Sequence, residues 1–325
     1  MWRNVEQGLD YHDVLVKPKF SYSPFKSRAE VQLWSSAIHK NRYFGFSSRK
    51  LPIVVANMEG IGTLDFAKRM KYGISTALQK TRHPILDLHR SNNTWHVMGE
   101  EDEELDFIKR HNSFLSINLV IICYDVANAY RQATIDRIKQ IKEILPYNVL
   151  IVGNVASYEG AIALFKAGAD GVKGPIGNGS VCLTRSVTGI GAPTISAILE
   201  LRKAADSFWF KNKLVVADGG VQTTGDITKA LVAGADYVMI GGMFAKTIPT
   251  NFRGSSIIND GKGYKTSEGK LVSITDPIKT PEELCDEIKA GLNSAATYLG
   301  TDDFSKFRKR GKLVRVTRQL NNLFG

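Results

Sequence analysis

Cysteine is scarce in this sequence: three in 325 residues, Cys123, Cys182 and Cys285, odd in number and far apart. That pattern excludes a disulfide framework and points to a reducing compartment, with the cytoplasm as the expected one. CxxC and HExxH are both missing, so no metal site built from side chains is expected. No stretch approaches the roughly 20 apolar residues of a membrane-spanning helix, and no membrane association is expected. The start, MWRNVEQGLDYHDV, lacks the charged-then-apolar pattern of an export signal. Acidic residues are outnumbered, 32 against 43 basic, giving a formal net charge of +11. Such a surplus attracts anions of any kind, including phosphorylated small molecules. The densest basic run, FSKFRKRGKLVRVTR near the C-terminus, holds two aromatic residues, both Phe. Base stacking has little support there, no nucleic-acid partner is expected, and the run reads as a solvated tail.

What is present suits a full core: 43% hydrophobic and 23% charged residues. Short β-branched runs recur: LPIVVANM (51–58), GISTAL (73–78), TWHVMG (94–99), NLVIICYDVA (118–127), NVLIVGNVA (148–156), DGVKG (170–174), KLVVADGG (213–220) and DYVMIGGMF (236–244). They are nearly continuous apolar runs, as expected of strands covered on both faces. Amphipathic segments lie between them, among them ATIDRIKQIKEIL (133–145), YEGAIALFKAGA (158–169) and GDITKALVAGA (225–235). Two end in Ala-Gly-Ala-Asp just before the next strand, a glycine helix stop and a quick return to the sheet. Eight alternating units predict an α/β protein, a closed (β/α)₈ TIM barrel forming one domain over 1–325. A flap is expected over about 246–275, after the eighth strand, and a closing helix over 281–299 with Pro281 in its first turn.

Chemistry in such a barrel sits at the C-terminal ends of the strands. There the segment GVKGPIGNGSVCLTRSVTGIGAP (171–193) places six glycines and two prolines around Cys182. Its composition argues against a helix or a central strand. An exposed sulfur on such a loop can act as a thiolate nucleophile, and Thr184 can relay a proton. Cys123, inside an apolar strand, and Cys285, on the last helix, read as packing residues. Paired glycines end the last two strands, at 219–220 and 241–242, and bare backbone N–H groups of that kind can hold a phosphate.

The segment GNGSVCLTRSVTGIGAP resembles the signature GxGSxCxTRxxTGxGxP of the IMP dehydrogenase and GMP reductase family. LDYHDVLVKPKF (9–20), VVANMEGIGT (54–63), LQK (78–80), DVANAY (125–130), GNVA (153–156), GADYVMIGGM and RVTRQLN (315–321) resemble it as well, in the same order over nearly the whole chain. No regulatory module is inserted between the second and third strands. GYKTSEGK (263–270) is more similar to the reductases' flap than to the Arg-Tyr pair of the dehydrogenases. The resemblance therefore implies an NADPH-dependent oxidoreductase that reductively deaminates GMP to IMP and ammonia through a thioimidate on Cys182. The alternatives are an IMP dehydrogenase-type oxidoreductase, a reductase of a related deoxy or modified guanine nucleotide, and a catalytically idle barrel that binds nucleotides or nucleic acid through its basic surface.

Carried over by position, the resemblance implies catalytic roles for Cys182, Thr184 and Glu268. Ser180, Asp218, Gly219, Gly220, Gly241, Gly242, Gly254, Ser255, Lys265, Ser267 and Gly269 would bind the nucleotide, with Asp218 on the ribose hydroxyls. Ser27, Arg28, Lys80, Asp125, Val126, Ala127, Ile176, Gly177, Ser294 and Thr297 would face the cofactor. A potassium ion is implied at Gly177, Gly179, Cys182 and Arg185, and a homotetramer as the assembly. Departures from the family pattern (Glu59, Ala129, Pro175, Asn178 and Lys265) gather around the cofactor and cation positions.

Overall fold

In the computed structural model the described residues are 6–18, 23–34, 50–80, 93–118, 120–180, 182–210, 212–248, 250–252, 272–274 and 278–316. Strand β1 (Val14–Pro18) lies outside the barrel. The eight apolar runs then supply its staves: β2 (Ile53–Val55), β3 (Ser75–Leu78), β4 (Thr94–Met98), β5 (Ile121–Asp125), β6 (Leu150–Gly153), β7 (Gly171–Gly174), β8 (Leu214–Asp218) and β9 (Tyr237–Ile240). Each pairs in parallel with the next, and β9 returns to β2 through Ile53 opposite Val238 and Val55 opposite Ile240. This is the expected closed eight-stranded (β/α)₈ barrel.

Alternation along each strand sorts the core into two layers. Ile121 and Cys123 of β5 point into the barrel with Val54, Trp95, Val97, Ile151, Val216 and Met239. Ile122 and Tyr124, their neighbours, face the helices, as do Ile53, Val152 and Val215. Inside, the rings of Trp95 and Tyr237 meet edge to face with centroids 5.4 Å apart. Such a pair adds about 0.5–1.5 kcal/mol beyond the area it buries. The interior is therefore a packed plug, and ligands are left only the mouths of the barrel.

The outer layer holds α1 (Leu64–Lys68), α2 (Asp102–Arg110), α3 (Asn112–Asn118), α4 (Gln132–Ile144), α5 (Tyr158–Ala167), α6 (Thr184–Thr188), α7 (Thr194–Ala205), α8 (Thr224–Ala233), α9 (Gly242–Ala245) and α10 (Pro281–Leu299). Ser157 caps α5 and Gly168 ends it, while Thr223 and Asp226 form a capping box on α8, which Gly234 ends. Thr280 and Glu283 form the same box on α10, with Pro281 in its first turn.

Two expectations need correction. Residues 171–193, whose composition argues against a helix or a central strand, hold both: Gly171–Gly174 is β7, the strand expected at 170–174, and Thr184–Thr188 is helix α6. Glycine is admitted in β7 because a Cβ at Gly171 would press on Leu214 of the adjacent stave, 2.9 Å away. The basic C-terminal run is not a tail over its described part. Phe304 and Phe307 are buried in the core, α11 (Phe307–Arg310) follows, and β12 (Gly311–Arg315) pairs antiparallel with β1. Two of its charges pair with acids, Arg308 with Asp206 after α7 and Lys306 with Asp303 in the adjoining turn.

Of the expected flap, β10 (Thr250–Phe252) and β11 (Val272–Ile274) pair antiparallel. Residues 253–271, with Gly254, Ser255, Lys265, Ser267, Glu268 and Gly269, lie outside the described residues.

Candidate active site

The C-terminal ends of β2, β7, β8 and β9 surround a cleft of about 180 Å³. Cys182, Ser180 and Gly179 line one side, and Asp218, Gly219 and Gly220 continue from β8. Gly241 and Gly242 leave β9, and Asn57 and Met58 follow β2. The sequence-derived nucleotide positions Ser180, Asp218, Gly219, Gly220, Gly241 and Gly242 are thus brought together around Cys182. At Gly219 the backbone runs at φ +90°, and a Cβ would stand 2.9 Å from the Gly179 amide nitrogen. Only glycine lets the β8 turn approach the cysteine loop so closely. At Gly242 a Cβ would meet the Ser180 hydroxyl at 2.8 Å, so the serine lies directly over the second glycine pair.

Cys182 is partly exposed, whereas Cys123 and Cys285 are buried. Its thiol donates to the Thr184 hydroxyl at 3.2 Å, and its backbone N–H donates to the Gly179 carbonyl at 3.0 Å. The loop is held from behind by Arg185, whose guanidinium donates to the Asn178 side chain and, at 2.8 Å, to the Ala192 carbonyl. Asn178 also bonds Thr194 at the start of α7. Burial pushes the Cys123 thiol up to about 12, which keeps it protonated and inert.

Below the cleft is a charged cluster that sequence reasoning missed. Lys173 of β7 keeps only 2% of its side chain exposed. Its ammonium donates to Asp125 at 2.8 Å, to Asp218, and to the Asn154 side-chain oxygen. Asn154 in turn donates to Asp218 at 3.1 Å, and Asn57 donates to Asp125 at 2.9 Å. Burial alone would lower the Lys173 pKa, but the Asp125 and Asp218 carboxylates raise it well above the ordinary lysine value. Burial pushes the Asp125 carboxyl up, yet Lys173 and Lys80 together bring it below the usual range. A signal was available: a lysine inside an apolar strand is retained only where carboxylates meet it.

The positions that the resemblance assigns to the cofactor fall in three places, the last being Ile176 and Gly177 on the cysteine loop. Asp125 and Lys80 adjoin the cleft through Asn57, and the Lys80 ammonium donates to the Asp125 carbonyl at 2.9 Å. Ala127 is exposed beside them, while Val126 is buried with its N–H on Gly153 and its carbonyl on Asn154. Ser27 and Arg28 belong to a turn beside α10, where Asn293 donates to the Arg28 carbonyl at 3.2 Å. Ser294 and Thr297 are on the same helix, and none of these four lines the cleft.

Ile176 carries the cysteine loop past Ala192, whose N–H it accepts at 3.2 Å, and Gly177 follows at φ +84°. The Arg185 carbonyl accepts from Gly189 at 3.1 Å, closing α6. Among the described residues, no group of three or more His, Cys, Asp or Glu side chains could hold a metal. No helix among them is long and apolar enough to cross a membrane.

The profile of the IMP dehydrogenase / GMP reductase domain matches residues 8–276. GMP reductase of Edwardsiella ictaluri (strain 93-146) is 34% identical, with 98% of this chain and 97% of that one covered. GMP reductase 2 of Mus musculus is 32% identical, covering 97% of this chain and 96% of its own. The crystal structure of inosine 5' monophosphate dehydrogenase from Legionella pneumophila superposes with a TM-score of 0.73 at 29% identity, over 96% of this chain and 99% of that one. The chain belongs to the IMP dehydrogenase / GMP reductase family.

Proposed function

We propose that this protein catalyses the reductive deamination of GMP to IMP and ammonia with NADPH as reductant. One observation carries the reading: a partly exposed Cys182 whose thiol meets Thr184 in a cleft shared with Asp218 and two glycine pairs. The similarity to reductases named for this reaction supports it over the dehydrogenase direction.

In this mechanism Ser180 and the backbone N–H groups of Gly219, Gly220, Gly241 and Gly242 hold the 5'-phosphate, and Asp218 accepts from the ribose hydroxyls. The Cys182 thiolate adds to C2 of guanine. Thr184, working with Glu268 of the flap, delivers the proton on which the amine leaves as ammonia, a transfer typically worth about 10²–10⁴-fold. A thioimidate remains between Cys182 and C2. NADPH, when bound, supplies the hydride that C2 receives. The sulfur then departs as thiolate and releases IMP.

Lys80 brings a positive charge beside Asp125 and the exposed Ala127, next to the cleft residue Asn57, which suits a phosphorylated cofactor. Gly254, Ser255, Lys265, Ser267 and Gly269 complete the nucleotide contacts from the flap. Ser27, Arg28, Ser294 and Thr297 contribute on the cofactor side from a neighbouring subunit of a homotetramer. The carbonyl oxygens of Gly177, Gly179 and Cys182 are hard donors that suit K⁺, which would steady the loop backbone. Arg185 takes part by bracing that loop, since its carbonyl already closes α6. Three free thiols fit the reducing cytoplasm.

Absorbance at the nicotinamide band tests the reading. Oxidation of NADPH with GMP, and no reduction of NAD⁺ with IMP, is the expected result. Activity only with IMP and NAD⁺ would reverse the assignment. Light scattering reports the tetramer, and dialysis against sodium buffers reports any need for K⁺.

A further inference from the structure

We propose that Lys173 is the positioning residue that aims the Asp218 carboxylate at the vicinal hydroxyls of the nucleotide's ribose. The inference rests on the ribose role of Asp218 given above.

Val172 packs in the outer layer, so its neighbour Lys173 points into the barrel. The ammonium has three N–H donors and meets three acceptors: Asp125 Oδ1, Asp218 Oδ2 and Asn154 Oδ1. These come from the ends of three other staves, so the position of each depends on the same nitrogen. A buried ion pair is a poor way to stabilise a core, and a well-packed apolar residue serves the fold as well or better. The lysine is therefore explained by what its partners do. On Asp218, Lys173 and Asn154 both bond Oδ2, and among the described residues Oδ1 accepts from none. Two donors on one oxygen fix the carboxylate and leave the lone pairs of the other for the cleft. About a fifth of the Asp218 side chain is exposed, and the residue lines the cleft with Cys182. Without the ammonium, Asp218 Oδ2 would keep only the Asn154 donor, and the carboxylate would be free to turn away from the cleft.

Calorimetric titration of GMP and of 2'-deoxyguanosine 5'-monophosphate into wild type and Lys173→Met tests the proposal. Wild type should prefer GMP by about tenfold or more, the weight of one charge-assisted hydrogen bond. In Lys173→Met the preference should fall to within about twofold, mostly through weaker GMP binding. Removing a cation beside two acids can unfold the chain, so Asp125→Asn/Lys173→Met, which restores the charge balance, is measured alongside. It should fold and show the same lost preference. A folded variant with the wild-type preference overturns the proposal, and so does failure of both variants to fold, which would assign Lys173 to the fold alone. Turnover of GMP by wild type is followed in parallel. Its absence would count against the proposed reaction, while the ribose preference reads Lys173 separately.

Discussion

The Cys182 sulfur and the Thr184 hydroxyl oxygen stand 3.2 Å apart where the β7 loop enters α6. The chain reverses tightly here, with the Cys182 N–H on the Gly179 carbonyl, and the sulfur that meets Thr184 belongs to a residue lining the cleft. Cys182→Ser should retain the fold and nucleotide binding, and should lose turnover by about 10³-fold or more, the alkoxide being unavailable at neutral pH. Thr184→Ala should lose about 10²–10⁴-fold in turnover, with ammonia release as the affected step. Single-turnover mixing with GMP, followed by mass spectrometry of the intact chain, separates the two. Cys182→Ser should carry no adduct. If Thr184→Ala turned over at the wild-type rate, the proton role would have to move elsewhere.

The three cysteines should differ sharply toward iodoacetamide. Cys123 is wholly buried, and burial pushes its thiol up to about 12. Burial likewise raises the Cys285 thiol on α10. Neither offers thiolate at pH 7.5, and neither is accessible. Peptide mapping after brief alkylation of the folded protein should find one modified residue, Cys182, protected by GMP. Labelling of Cys123 at a comparable rate would contradict the packing of β5 described here.

Gly219 should resist even the smallest side chain. Its φ of +90° and the 2.9 Å separation of an added Cβ from the Gly179 nitrogen oppose alanine together. Gly219→Ala should cost about 1–3 kcal/mol of stability and raise KM for GMP, because the turn must back away from the cysteine loop. Gly225 of α8 is the control, since a Cβ there meets only the Thr223 hydroxyl at 3.5 Å. Gly225→Ala should leave stability unchanged or raise it by about 0.5–1 kcal/mol. Denaturant melts of both variants decide the matter. Equal effects would mean that the close approach at Gly219 does not govern the site.

The barrel was legible in the sequence because its signal is local. Runs such as IICYD and LIVG are buried on both faces, so each strand shows as an unbroken apolar stretch. The cysteine loop was legible because glycines and one sulfur are confined to a single segment. Lys173 was not, because its meaning lies in residues up to 48 positions away, at the ends of β5 and β8. A lone lysine in DGVKG says nothing about which acids will surround it. The C-terminal run misled for another reason: its charge density hid Phe304 and Phe307, three apart on one face and both buried. The separation of the proposed cofactor residues, Lys80 and Asp125 next to Asn57 and Ser294 and Thr297 on α10, likewise follows from chain folding, which spacing along the sequence does not express.

Asp125 makes the charged cluster accountable to acid. Burial pushes its carboxyl up, but Lys173, Lys80 and the hydrogen bond from Asn57 leave it below the ordinary carboxylate range. A group whose folded pKa is depressed stabilises the fold at pH above its unfolded value, about 3.9 for Asp, and loses that contribution as pH falls through the lower folded value. Wild type should therefore lose stability steeply below about pH 4, Asp125 taking part in the loss. Asp125→Asn cannot titrate. It should be less stable at pH 7 by about 1–3 kcal/mol, since Lys173 keeps only Asp218 as its counter-ion. Its stability should then decline less steeply in acid, so the two curves converge as pH drops. Urea midpoints between pH 2.5 and 7 give both curves. Parallel curves for wild type and Asp125→Asn would mean that Asp125 is not held ionised by Lys173, and the cluster at the barrel mouth would need another description.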